Sequence, residues 1–316
     1  IMPNYQGLWS LSEQFQAIGQ QNWVGFITGG DVGVFVGGYN SATTRGYVHI
    51  SSLGDETNFG TLSAGVSNCS GSGSSTRGIL KKTTPDNTSI SYITVVQKGD
   101  LVDFGDSSTY SSSAASLSNE TRALFCGDGT GTNPTIIEYV TIATTGNALD
   151  FGDATVVILG QSSGCGSTTR GLILGGETSP NDTNVIQYVT FSSTGNATDF
   201  GDLTEAKQMI QSVSNSIRAV RGGGVGDTDV MDYVTIASTG NAIDFGDLSI
   251  GRRQIMLGNC ANGTRGIFAG GDGPSGDVAI IEYITIAATG NALDFGDLTA
   301  ATQSGAALSD CHGGLS

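Results

Sequence analysis

Charge is scarce in this chain, and positive charge scarcest of all. Only 13% of its 316 residues are Asp, Glu, Lys or Arg, and 13 basic residues face 29 acidic ones, for a net charge of −16. Nucleic-acid binding needs a basic stripe, so nucleic acid is not an expected partner. With only His49 and His312 present, a metal centre of several histidine ligands is excluded. No apolar run reaches the roughly 20 residues of a membrane-spanning helix, so no membrane partner is expected. The N-terminus lacks the basic-then-apolar pattern of a secretory signal, and Ile1 ahead of Met2-Pro3 points to a start that is missing or processed. Five cysteines cannot all pair with one another. Cys165 and Cys260 each lie five residues before an arginine, at equivalent places in separate repeats, and buried free thiols are expected.

What is abundant is glycine, 49 residues of it, and repetition. The stretch YITIAATGNALDFG at Tyr283 has five other copies, led by Tyr47, Tyr92, Tyr139, Tyr188 and Tyr233. In every copy a phenylalanine follows the tyrosine by 12 residues, at Phe59, Phe104, Phe151, Phe200, Phe245 and Phe295. The unit recurs every 45 to 50 residues, a period that with strand-like content indicates a propeller or a solenoid. Tyr-Ile-Thr-Ile is β-branched and aromatic, which suits a strand. The Gly-Asn pair after it is read as a two-residue hairpin turn, because glycine accepts positive φ freely. Upstream lies a second strand opened by an arginine and closed by paired glycines, as in RGIFAGGD from Arg265; Arg77, Arg122, Arg170 and Arg218 open its counterparts, and the first copy begins at Val32 without one. These arginines are expected to bond a DFGD aspartate or nearby carbonyls, since a planar fork satisfies several acceptors. A Ser/Ala-rich stretch before each arginine supplies an inner strand, giving four strands per unit.

A paired glycine after a short apolar strand, then an aromatic residue and another hairpin, resembles the kelch repeat, most closely at Gly37-Gly38, Gly175-Gly176 and Gly270-Gly271. The likeness covers residues 32 to 309. It departs from the pattern at Lys82-Thr83, which replaces the glycines, and in having the DFGD phenylalanine where kelch carries an outer-strand tryptophan. The resemblance implies an all-β, six-bladed kelch-like β-propeller over residues 32–316. The first unit lacks an inner strand, and the chain ends on one, from Thr302 to Leu308. Closure by this C-terminal strand leaves fewer unpaired edges; a seventh blade using Gly25 to Gly30 is the alternative.

Residues 1–31 stand outside the repeat. Ser10-Leu11-Ser12-Glu13 fits a capping box, and Leu11, Phe15 and Ile18 share one face of a short helix ending near Gly19, flanked by Trp9 and Trp23. The segment Asn4 to Trp23, NYQGLWSLSEQFQAIGQQNW, resembles the opening of tailed-phage virion proteins, aquatic phages especially. That resemblance implies a virion appendage, a tail fibre or capsid-associated fibre, in which Trp9, Leu11, Phe15, Ile18 and Trp23 attach to other virion proteins. The propeller would then meet a host-surface glycan or protein, the protein would be a homo-oligomer, and its location would be the particle surface. The rival readings are a cellular or secreted propeller scaffold binding protein or glycan, and a glycan-active enzyme.

The chain carries neither a GxSxG elbow nor sialidase aspartate boxes, and its repeated DFGD lacks the other parts of a kinase site, so it is expected not to be an enzyme and to use no cofactor. A carboxylate pair for glycoside hydrolysis is invisible at this level. The segment GDGPSGD, Asp272 to Asp277, reads as a polar turn rather than a calcium site. Spacing from the second strand to the tyrosine varies from 15 to 18 residues while the tyrosine hairpin never changes. Binding residues sit on variable loops held by a rigid scaffold, so Asn133, Asn181, Asp182, Asp272 and Ser275 are the candidate ligand-facing positions.

Overall fold

The structure is a computed structural model that describes residues 30–82, 88–97, 99–110, 113–127 and 134–315. The expected N-terminal helix and the attachment residues Trp9, Leu11, Phe15, Ile18 and Trp23 lie outside the described residues, as do Asn133 and most of Gly25 to Gly30. Among the described residues every regular element is a strand. The third repeat shows the pattern: an inner strand Ala115–Ser118, a second Arg122–Cys126, a third Ile136–Thr141 and an outer Leu149–Asp153, all antiparallel. In the first unit the inner strand is Ala306–Ser309 from the C-terminus, paired with Val32–Val36 from Val36↔Ala306 to Gly33↔Ser309. The arrangement of several small antiparallel sheets is that of a β-propeller.

The core lies between sheets. Six apolar clusters each join two successive units, and one of them packs Phe295 and Ile281 of the last unit against Val48 and Ile50 of the first. The repeated phenylalanines are all buried, each contributing about 1.5–3 kcal/mol of burial. Each meets the tyrosine of its own unit edge-to-face, with centroids 5.2 to 6.1 Å apart.

The Gly-Asn pair is not a two-residue hairpin. The third strand ends at Thr141 and the outer strand starts only at Leu149. The pair instead clamps the outer edge of the preceding unit. Gly146 N–H donates to Phe104 O at 2.7 Å, Ala148 N–H donates to Asp106 O at 2.8 Å, and Asn147 Oδ1 accepts from Asp106 N–H at 3.1 Å. Gly195-Asn196, Gly240-Asn241 and Gly290-Asn291 repeat all three bonds, and Gly54-Asp55 repeats the pattern across the junction between the last unit and the first. The second DFGD aspartate joins the clamp through its backbone, its C=O accepting from the next unit and its N–H donating to the asparagine side chain. The clamp also explains the DFGD glycine, because a Cβ on Gly152 would lie 2.4 Å from Gly195 O.

The arginines seal the same junctions. Each guanidinium lies over the tyrosine ring of its own unit, 4.3 to 4.8 Å from the centroid, and donates to a carbonyl of the next unit rather than to a DFGD aspartate. Arg122, for example, reaches Phe191 O, and Arg265 reaches Ile50 O in the first unit. The arginine absent at Val32 is supplied by Arg45 of the adjacent strand. It stacks on Phe59 at 4.4 Å, donates to Thr94 O and Gly99 O, and burial lowers its pKa to about 10.

The inner strands are buried throughout and built of small residues. Large and small side chains alternate around the axis: Leu308, Ser72, Leu117, Cys165, Val213, Cys260. A Cβ on Gly78, Gly171 or Gly266 would strike Leu308, Leu117 or Val213, so glycine in the next unit makes room for the larger members. All five cysteines are free, and the four buried ones have thiol pKa values raised by desolvation, that of Cys165 to about 11. At the arginine end the C-terminal residues fold over the axis. His312 is buried there with Nε2 3.3 Å from Ser118 Oγ and 3.3 Å from Gly73 O, and Gly313 N–H donates to Ser214 O.

Two outcomes test this account. Gly152→Ala should destabilise the protein by about 2 kcal/mol, whereas Gly60→Ala should cost clearly less. Both glycines have positive φ, +148° and +138°, but nothing lies within 4 Å of a Cβ at Gly60. Equal shifts in thermal unfolding would refute the clamp. Desolvation lowers the His312 pKa from 6.5 to about 4. Between those values the unfolded chain binds the extra proton, so stability is complete above pH 6.5 and falls as pH drops toward 4, by about 3 kcal/mol in all. His312→Asn should flatten that part of the stability–pH curve.

Candidate functional site at the glycine-pair end

Six non-glycine residues with left-handed backbone surround the axis at the glycine-pair end: Asn68, Ser113, Gln161, Met209, Gln254 and Ser304, with φ from 50° to 60°. Each precedes an inner strand. Four backbone bonds join five of them head to tail, Gln161 N–H to Ser113 O, Met209 to Gln161, Gln254 to Met209 and Ser304 to Gln254, at 2.8 to 3.0 Å. Such backbone is strained for non-glycine residues and persists only where its surroundings fix it. The ring closes down on a pit of about 10 Å³, the space of a single water molecule. A ligand at this end therefore meets a surface rather than a tunnel.

Around the pit, loops of three units converge. Tyr39, just after Gly37-Gly38, is 54% exposed, and its hydroxyl accepts from Asn68 Nδ2 at 3.1 Å. Its backbone N–H donates to Gln303 O. Asn40 Nδ2 donates to Asp277 Oδ2 at 2.5 Å, and Gln303 Nε2 donates to Asp277 Oδ1 at 2.8 Å. Among the described residues the Gln303 Oε1 atom is buried without a partner. Asp272 and Asp277 face each other across a short hairpin, Asp272–Gly273 against Gly276–Asp277. Arg253 links this hairpin to the previous unit, 2.7 Å from Asp272 and 3.4 Å from Asp227. Partial exposure limits each of these ion pairs to about 0–1 kcal/mol, so they position side chains more than they stabilise the fold. Desolvation, and then the charge of Asp272, hold the Asp277 carboxyl above the ordinary aspartate range. Directly beneath, Arg252 and Glu282 form a fully buried pair at 2.6 Å.

Of the positions expected from the sequence, Asp272 and Ser275 fall in this cluster, Ser275 at the exposed hairpin tip. Asn181 and Asp182 lie on the corresponding loop of the fourth unit, where Asn181 O accepts from Thr178 and Asp182 pairs with Glu177, separate from the Asp272 network. Tyr39, Asn40, Arg253, Asp277 and Gln303 were missed. Arg252-Arg253 is the chain's only arginine pair, which was a usable signal; the convergence of Tyr39 and Gln303 across the ring closure left none.

Fold and cluster together define a β-propeller with a polar, carboxylate-rich surface at its glycine-pair end. The solved structure of YjhT is similar to this chain, with a TM-score of 0.65 at 10% identity over 83% of this chain and 94% of that one. No protein-family model and no curated protein matches the sequence. At such low identity the likeness speaks for the propeller-type fold alone. It also overturns the expectation that the chain is not an enzyme. That expectation rested on missing motifs of other families, and a fold shared at 10% identity carries unrelated chemistries without shared motifs.

Replacing Asp272 by Asn removes the charge acting on Asp277. The Asp277 titration midpoint, followed by carboxyl-carbon NMR, should then move down toward the ordinary aspartate value. A midpoint that stays in place would assign the shift to burial alone.

Proposed function

We propose that this chain is a recognition protein, a six-bladed propeller that offers its glycine-pair end to a polyhydroxylated, glycan-type ligand. The observation that carries the reading is the exposed Tyr39 ring beside a network of carboxylates, amides and one arginine drawn from three units. An aromatic face stacks on the C–H side of a sugar ring, while the carboxylates accept hydroxyl hydrogens and Arg253 donates. The resemblance of residues 4–23 to virion segments supports a setting on a phage particle, with residues 1–31 held by other virion proteins and the propeller turned to the host surface. A second reading, glycan turnover, is favoured by the Asp272/Asp277 pair. The raised Asp277 carboxyl is suited to act as general acid, with Asp272 as the second carboxyl of the pair.

A glycan array probed with the purified protein should retain a defined subset of structures. Tyr39→Ala should weaken the best of them about tenfold or more by calorimetry, a loss of about 1.4 kcal/mol. Retention of no glycan, or retention indifferent to Tyr39→Ala, would sink the reading. Cleaved or altered glycan that disappears in Asp277→Asn would select turnover over plain binding, and immunogold labelling of purified particles tests the setting.

A further inference from the structure

At each of the six junctions between units, a polar side chain of one unit reaches back to cap the loop after the outer strand of the unit before. Glu138 Oε1 accepts from Ser108 N–H at 2.8 Å, Asp232 Oδ2 from Thr204 N–H at 3.0 Å, and Glu282 Oε1 from Ser249 N–H at 2.8 Å. Gln187 does the same for Thr155. These four occupy the position just before the repeated tyrosine. In the first unit that position is Gly46, and Glu56 fills its space; a Cβ there would lie 1.7 Å from Glu56 Oε1, which leaves Oε2 to cap Thr299 at 2.7 Å.

The junction between the first and second units is capped from a different position. The position before Tyr92 is Ser91, too short to reach. Asp100 leaves the clamping role of its Asn counterparts and caps Ser63 N–H instead, at 3.1 and 3.2 Å. The space is not refilled. A cleft of about 210 Å³ remains, lined by Ser63, Ala64, Val66, Lys82, Ser91, Asp100, Leu101 and Asp103. Ser91 is only 2% exposed and lines this cleft. Lys82 stands where other units carry the first glycine of the pair. Among the described residues neither the Lys82 ammonium nor the Asp103 carboxylate is engaged in an ion pair, although both line the cleft.

We propose that this cleft is a binding site for a small zwitterion of the amino-acid class. Its carboxylate lies in the space that a longer side chain fills at other junctions and accepts from the Ser91 hydroxyl and the Lys82 ammonium. Its ammonium faces Asp103, and its side chain lies along Val66, Ala64 and Leu101. Opposite charges that share a cleft without closing on each other suit a ligand carrying both, and the volume is below that of drug-sized pockets, roughly 300 Å³ and up. The site is independent of the glycine-pair end.

The test is thermal unfolding and calorimetry with the individual amino acids, neutral monosaccharides and simple monocarboxylates, each at on the order of 10 mM. A subset of amino acids should raise the melting temperature and bind at one site. Ser91→Glu, which installs the side chain found before Tyr139 and Tyr283, should abolish binding while keeping or raising stability. Lys82→Ala, a change on the partly exposed rim, should weaken binding about tenfold or more without unfolding the protein. No binding by any amino acid, binding only by sugars or monocarboxylates, or binding untouched by both substitutions would each overturn the proposal.

Discussion

The constraint on which this structure depends is the outer edge of each sheet. An exposed outer strand offers a row of unpaired N–H and C=O groups to any passing chain. Here that row is taken by the next unit, through the glycine amide, the asparagine side chain and the residue after it. The bond set needs backbone against backbone, so a Cβ on the DFG glycine would strike the incoming backbone. The TGN glycine is needed for its φ of +153° to +159°, which side chains rarely adopt. The two motifs most faithfully repeated, TGN and DFG, are the two halves of one joint. Their constancy says nothing of a ligand; it records a geometry that tolerates no Cβ. The arginine, stacked on its own tyrosine and bonded to the carbonyl beyond, fastens the neighbouring stretch of that joint.

On the axis the problem is opposite, since six strands must approach one another closely. The chain solves it by alternation, with Leu308, Leu117 and Val213 seated over glycines and Ser72, Cys165 and Cys260 between them. The result is a pseudo-threefold core inside a sixfold repeat. This is why Cys165 and Cys260 are inert: they are small members of a packing pattern, fully buried, with thiols that desolvation holds protonated. Closure uses the same pattern, because Leu308 belongs to the C-terminal strand and without it Gly78 would face a void.

Much of this fold was legible because the repeat is written in strand residues and the pairing partners are local. Closure by the last strand could be inferred from an inner strand missing at one end and spare at the other. The Gly-Asn pair was misread because the chemistry of a tight turn and that of a joint between sheets call for the same residues, and only the partner distinguishes them. Arg45 stayed hidden because it replaces a lost side chain from a different strand. The candidate site was half visible. Variable loop length pointed to Asp272 and Ser275, while Tyr39 and Gln303 meet only through ring closure, across more than two hundred residues of chain.

The departures from the repeat are therefore where function is to be sought, and the physical reason is the joint itself. Wherever the clamp is intact, the capping side chain beside it is bonded to the preceding unit. Side chains with capacity to spare occur where the pattern is broken or was never imposed. Lys82 and Ser91 lie at the one altered junction, and Tyr39 and Gln303 lie on loops that no junction uses. An acidic, weakly charged surface suits neutral or zwitterionic ligands at both places, because neither offers the concentrated positive charge that would draw a polyanion. The two differ in shape. The loop surface is broad and nearly without depth, as extended glycans require, whereas the junction cleft is narrow and suited to enclose one small molecule. A rigid ring links them, so occupancy of the cleft would stiffen the one joint that lacks its clamp, and the loop carrying Tyr39 springs from the first unit at that joint.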